Sequence, residues 1–130
     1  MFNIFPEIGA FPTAAAMIDP DLMQQLLAFR RERDWEQFHT FKNLAVSISL
    51  EASELLETVQ WIPDAQVAET VQRNREQVCH EMADIAIYLA YMAHDLGVDL
   101  DEAIRAKLEH NARKYPVHRA RGNARKYNAR

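Results

Sequence analysis

"SLEASELLETVQW", residues 49–61, decides the fold because its apolar and acidic positions collide. Leu44, Ile48, Leu55 and Val59 recur at the spacing of one helix face, and Glu51 falls in the same line. The spacing predicts an amphipathic helix with a carboxylate on the side that should meet the core. A charge there needs a partner or a ligand, because burying it alone is strongly unfavourable.

The surrounding chain is suited to helices. Its 130 residues are enough for one domain with a real core and too few for two of ordinary size. Hydrophobic residues make up 48 % and charged residues 26 %, the balance of a globular protein, and three Gly leave little material for the many tight turns of a β-sandwich. No apolar run approaches the roughly 20 residues that a membrane-spanning helix needs. The stretch "MFNIFPEIGAFPTAAAMI" lacks a basic start, carries Glu7 and is broken by Pro6 and Pro12, so residues 1–18 read as an irregular arm and not a targeting signal. Cys79 is alone, which excludes an intramolecular disulfide and suits a reducing, cytoplasmic setting.

Punctuation divides the rest into four expected helices. Asp19-Pro20 supplies an N-cap and a first-turn proline for a helix carrying Leu22, Leu26 and Phe29 and ending near Asp34. The second helix begins between Thr40 and Asn43 and runs to Trp61, where Pro63 stops it and Asp64 is the expected next N-cap. A long third helix spans about residues 65–96, with a kink expected near Asn74 and Gly97 as its C-cap. Asp99 with Glu102 starts the fourth, and Pro116 closes it. Residues 19–118 thus form the helical domain, and residues 119–130 an extended or disordered basic tail. The charge is uneven: residues 1–118 hold ten basic against nineteen acidic side chains, whereas residues 119–130 hold five basic and none acidic.

Helices two and three share a feature. Glu51 and Glu54 stand at i, i+3, as do Glu81 and Asp84, and Glu81 interrupts the stripe of Val78, Ile85, Leu89, Met92 and Leu96 just as Glu51 interrupts its own. A lone pair of this kind is ordinary solvated helix surface. Two pairs, each intruding on an apolar stripe of consecutive helices, place four carboxylates face to face. With no basic residue on either stripe nearby, the simplest counter-charge is a divalent cation, and an all-oxygen set suits Mg²⁺, with Mn²⁺ able to substitute. Magnesium commonly joins carboxylates to substrate phosphates. On the fourth helix Lys107, Asn111 and Lys114 share a face suited to phosphate oxygens and a sugar or base edge, or alternatively to solvent. Trp35, Trp61 and Tyr88 are the neighbouring aromatics, available for stacking a base or for filling the core.

These residues resemble the all-α nucleoside triphosphate pyrophosphohydrolases, the MazG-like superfamily, whose signature is E-x-x-E followed by E-x-x-D on the next helix. "FRRERDWEQFH" (29–39), "LEASELLETVQW" (50–61), "EMADIAIYL" (81–89), "GVDL" (97–100) and "NARKYPVHRARGNARKY" (111–127) narrow the resemblance to the dCTP pyrophosphatase branch. It implies a four-helix bundle assembling into a homotetramer, with Mg²⁺ held by Glu51, Glu54, Glu81 and Asp84. It further implies hydrolysis of a (deoxy)nucleoside triphosphate, dCTP or a modified dCTP, to monophosphate and pyrophosphate, with Trp35, Trp61, Tyr88 and Asn111 near the nucleotide. At Leu26 the chain departs from the family, which carries a His near the base there.

Two other readings compete. A ferritin-like di-iron bundle requires two E-x-x-H pairs, and the chain offers only Glu36 to His39. A non-enzymatic helical module would use the Arg-rich tail to bind nucleic acid, but the acidic body opposes a duplex-binding surface.

Overall fold

The computed structural model describes residues 17–129; residues 1–16 of the expected arm lie outside the described residues. Among the described residues every regular element is helical: α1 (Pro20–Glu32), α2 (Phe41–Glu57), α3 (Asp64–Arg73), α4 (Arg75–Leu96), α5 (Leu100–Lys114) and α6 (Val117–Ala120), with 3-10 turns at Glu36–Phe38 and Tyr127–Ala129. None of these helices is long and apolar enough to cross a membrane.

Most boundaries follow local chemistry. The Asp19 carboxylate accepts from the Asp21 and Leu22 amides, Thr40 Oγ1 from Asn43, and Asp99 from Glu102, so each satisfies a donor that the first helical turn would leave free. Gly97 ends α4 in the left-handed region at φ 66°, where a residue without Cβ meets no penalty.

Six helices stand where four are expected. The expected third helix is broken, not kinked: Asn74, at φ −103° and ψ 25°, donates its amide to the Thr70 carbonyl at the end of α3 and accepts from the Val78 amide at the start of α4. Beyond Pro116 the tail folds into α6 and a 3-10 turn, in place of an extended segment. The second helix also stops early, at Glu57. Thr58 turns its hydroxyl back to the Leu55 carbonyl at 2.8 Å, and residues 58–62 form turns that carry Trp61 off the helix. Pro63, without a side-chain bond, takes the N-cap place expected for Asp64, which becomes the first residue of α3.

The core lies between α4 and the helices laid on it, chiefly α2 and to a lesser degree α1 and α3. Leu44 is buried to 1 % exposure, and the deepest positions of α4 are Ala90, Tyr91 and Ala93. The expected stripe is only half-buried, and Leu96 at its end is 49 % exposed, because α1 packs on a different face of α4 from the one the stripe presents. No residue of α5 is buried, and Ile104 and Leu108 face solvent. Further apolar side chains, Val46, Leu50, Leu56 and Met82, are exposed along α2 and α4. So much uncovered apolar surface on one chain marks faces suited to association.

Candidate active site

Packing of α2 on α4 brings together oxygens of Glu51, Glu81 and Asp84, one from each, all within 4.8 Å of one another. These three are half-buried, and Glu54, one turn beyond Glu51, is exposed beside them. Partial burial first, and then the charges of Glu54, Asp84 and Glu81, push the Glu51 carboxyl above the usual carboxylate range. Glu81 moves the same way, through desolvation and then Glu54 and Asp84. Glu51 Oε2 is buried without a hydrogen-bond partner.

These observations fit a hard cation. The donors are all oxygen, partial burial and then the neighbouring carboxylates disfavour the charged forms of Glu51 and Glu81, and Glu51 Oε2 has no hydrogen-bond partner. Among the charges that shift Glu51 and Glu81 the one basic group is His80, whose effect on Glu81 is the smallest in its surroundings. Among the described residues, the one group able to hold a metal contains no histidine, so the di-iron reading has no site.

A second assembly begins one turn further along α4, at Tyr88 and Tyr91. Trp35 follows Asp34, whose positive φ of 53° turns the chain sharply out of α1, and its amide donates to the Arg30 carbonyl at 3.1 Å. Its ring meets Phe29 edge-on at 5.8 Å and stands 6.5 Å from His39. His39 in turn lies 6.3 Å from Tyr88 and 5.3 Å from Tyr91. Trp35 and Tyr88, chosen from sequence, therefore belong to one aromatic corner. Trp61 does not: it is 85 % exposed and contacts no other ring among the described residues. Tyr91 and the buried Arg30 escaped the sequence reading, and His39 entered it only as half of an E-x-x-H pair. A signal was present, since Arg30 continues the Leu22–Leu26 line and Asp95 stands one turn beyond Tyr91.

Lys107, Asn111 and Lys114 lie on α5, and neither lysine is among the charges that shift Glu51 and Glu81. Lys114 first, then burial and Lys107, push the nearby His110 below its ordinary value. The Lys114 ammonium sits 4.8 Å from the centre of the Tyr127 ring, which meets Tyr115 edge-on at 6.1 Å, so the tail folds back on the end of α5. The clefts of the chain include an apolar groove of about 360 Å³ floored by Leu55, Val59, Val67 and Val78, and a cavity of about 220 Å³ beside Met23, His94 and Asp101.

Bovine dCTP pyrophosphatase 1 (Bos taurus) is 39 % identical over 121 residues, 92 % of this chain and 72 % of that one. The human protein of the same name is 38 % identical over 109 residues, 82 % of this chain and 64 % of its own length. The crystal structure of a pyrophosphatase from Archaeoglobus fulgidus superposes with a TM-score of 0.72 at 42 % identity, over 74 % of this chain and 90 % of that one. A model of the MazG-like family matches residues 46–129, a span that holds both acidic pairs and the whole of α4 and α5, and with these relatives it establishes that the chain belongs to the MazG-like family.

Proposed function

We propose that this protein is a divalent-metal-dependent nucleoside triphosphate pyrophosphohydrolase that cleaves dCTP, or dCTP modified on its base, to the monophosphate and pyrophosphate. The relatives named for dCTP support the substrate, and the facing carboxylates support the chemistry. The observation that carries the reading is the partnerless Glu51 Oε2 inside a set of acidic groups with no cation among them.

Glu51, Glu54, Glu81 and Asp84 would hold Mg²⁺, or Mn²⁺ in its place. When bound, the ion supplies the positive charge and Lewis acidity that hydrolysis of a phosphoanhydride needs. Water attacks the α-phosphorus, the bond from that phosphorus to the oxygen bridging the β-phosphate breaks, and pyrophosphate leaves. Glu51 or Glu54 orients that water and accepts its proton. Trp35 and Tyr88 offer faces to the base, with Trp61 as a further stacking group, while Lys107 and Lys114 meet phosphate oxygens and Asn111 a sugar or base edge.

In this reading more than one copy of the chain builds the site, since α2, and to a lesser degree α1 and α3, are the helices packed chiefly on α4. A homotetramer would bring α5 of a neighbouring copy over the cluster and cover Ile104, Leu108, Leu50 and Met82. Residues 19–118 are the catalytic domain in this reading, residues 1–18 an arm and residues 119–130 a basic extension. The expected role is clearance of nucleotides from the cytoplasmic pool. Incubation with a panel of NTPs and dNTPs plus Mg²⁺, with products resolved, tests it. Monophosphate and pyrophosphate from dCTP are expected; diphosphate and phosphate, or no turnover of any nucleotide, would overturn the assignment.

A further inference from the structure

Arg30 is 5 % exposed, and the chemistry above makes no use of it. Its guanidinium donates twice to Asp95, Nη1 to Oδ2 at 2.9 Å and Nη2 to Oδ1 at 2.8 Å, across 65 residues of sequence. The same guanidinium lies 4.7 Å from the centre of the Tyr91 ring, and the Tyr91 hydroxyl donates to the Leu26 carbonyl at 2.7 Å. Tyr91 is thus fixed at both its face and its tip. Against that fixed ring packs His39, whose Nδ1 is buried and has no hydrogen-bond partner. Nothing but neighbouring rings and local charges therefore sets the imidazole. His39 stands between Trp35 and Tyr88, and Trp35 is tied a second time to Arg30 through its amide.

We propose that the Arg30–Asp95 pair is a positioning device for the nucleotide site: through Tyr91 it fixes His39, and through His39 it holds Trp35 and Tyr88 in register for the base. The proposal rests on the reading above that Trp35 and Tyr88 receive the nucleotide. Arg30 and Asp95 are positioning residues; neither needs to touch substrate. A bidentate, planar pair suits this task, since it fixes orientation as well as distance.

The pair also sets the charge of the imidazole. Burial pushes His39 below its ordinary range, Arg30 pushes it further, and Asp95 opposes both. The charged and titratable groups around this corner are Arg30 on α1, Arg33 at its C-cap, Glu36 on the 3-10 turn, and Tyr88, Tyr91, His94 and Asp95 on α4. Removing either half of the pair leaves the other half uncompensated, so the two removals act on His39 with opposite sign. Arg30→Met leaves Asp95 alone and raises the His39 titration; Asp95→Asn leaves Arg30 alone and lowers it.

The test combines both variants with two measurements: steady-state dCTP hydrolysis, and NMR titration of the His39 ring proton, identified by its loss in His39→Gln. Each variant is expected to raise KM for dCTP about tenfold while kcat stays within about threefold, because a displaced base wall loosens binding and the carboxylates on α2 and α4 are untouched. His39 is expected to titrate higher than wild type in Arg30→Met and lower in Asp95→Asn. General loosening would hydrate His39 and move both upward, so an upward shift in Asp95→Asn overturns the proposal, as does an unchanged KM in both variants. If Arg30→Met does not fold, the isosteric Asp95→Asn carries both measurements alone. A wild type that turns over no dCTP, together with opposite His39 shifts, sinks the proposed function and the nucleotide-facing role while leaving the hold on His39 standing.

Discussion

Replacing Glu51 by Gln should make the metal-free protein more stable and the metal-loaded protein less so. Two unit charges 4.8 Å apart, the limit that the Glu51 and Asp84 oxygens share, repel by about 1 kcal/mol in water and about 3.5 kcal/mol at the effective dielectric of a protein surface. Solvent screening of a half-buried site brings the relief from Glu51→Gln to about 1–2 kcal/mol. For a chain of this length that raises the metal-free Tm by about 3–10 °C. The wild type should recover and pass this when a divalent ion is added, since an ion at a hundred times its Kd contributes about 2.7 kcal/mol. Thermal denaturation of both proteins in EDTA and in Mg²⁺ reads the crossing directly. The pH dependence has a fixed sign. Because Glu51 and Glu81 have folded-state affinities for protons raised above those of the unfolded chain, their contribution is fully present below the ordinary carboxylate range and is lost as pH rises through the raised folded values. The metal-free wild type should therefore lose stability on going from about pH 4.5 toward neutrality, and Glu51→Gln should lose less. Equal melting of the two proteins in EDTA, or an equal shift of both by Mg²⁺, would refute the reasoning. Hydrolysis by Glu51→Gln should fall at least about 100-fold, as expected when a group aimed at developing charge is removed.

Activity should vanish in EDTA and return with Mg²⁺ or Mn²⁺; full turnover in EDTA would remove the metal from the mechanism. Leu44→Ala should cost about 2–5 kcal/mol, read as a lower denaturation midpoint in urea at unchanged slope, because the side chain is 1 % exposed in the α2–α4 seam. Lys114→Ala should lower kcat/KM for dCTP, dTTP and dATP alike, since an ammonium reads charge, while Trp35→Ala or Trp61→Ala should cost about 1–3 kcal/mol of stacking for each base; nucleotide ratios that change in Lys114→Ala and stay constant in Asn111→Ala would reverse the roles assigned to that face. Light scattering should return a homo-oligomer, four copies in the proposed assembly, and a monomer at working concentration would leave α5 without the cluster it is meant to cover.

The sequence by itself determined what depends on neighbours along the chain. Asp19, Thr40 and Asp99 cap helices because a side-chain oxygen reaches an amide two or three residues away, and Gly97 ends one because only its own φ is at stake. The acidic pairs were legible for the same reason: an i, i+3 spacing needs only a helix to share a face, and two interrupted stripes need only to pack together. Tertiary structure decided the rest. Arg30 reads as one of three arginines in an exposed run, and only the arrival of Asp95 from 65 positions away makes its burial tolerable. His39 meets Trp35, Tyr88 and Tyr91, a contact between the connection after α1 and α4 that no periodicity encodes. The helix from 65 to 96 broke at Asn74 and the second helix ended at Glu57, because local propensities near these points are almost balanced and small differences in packing choose between a helical turn and a stop. The direction in which α5 leaves α4 after Gly97 is likewise set by three-dimensional packing and invisible in the spacing of charges along the chain.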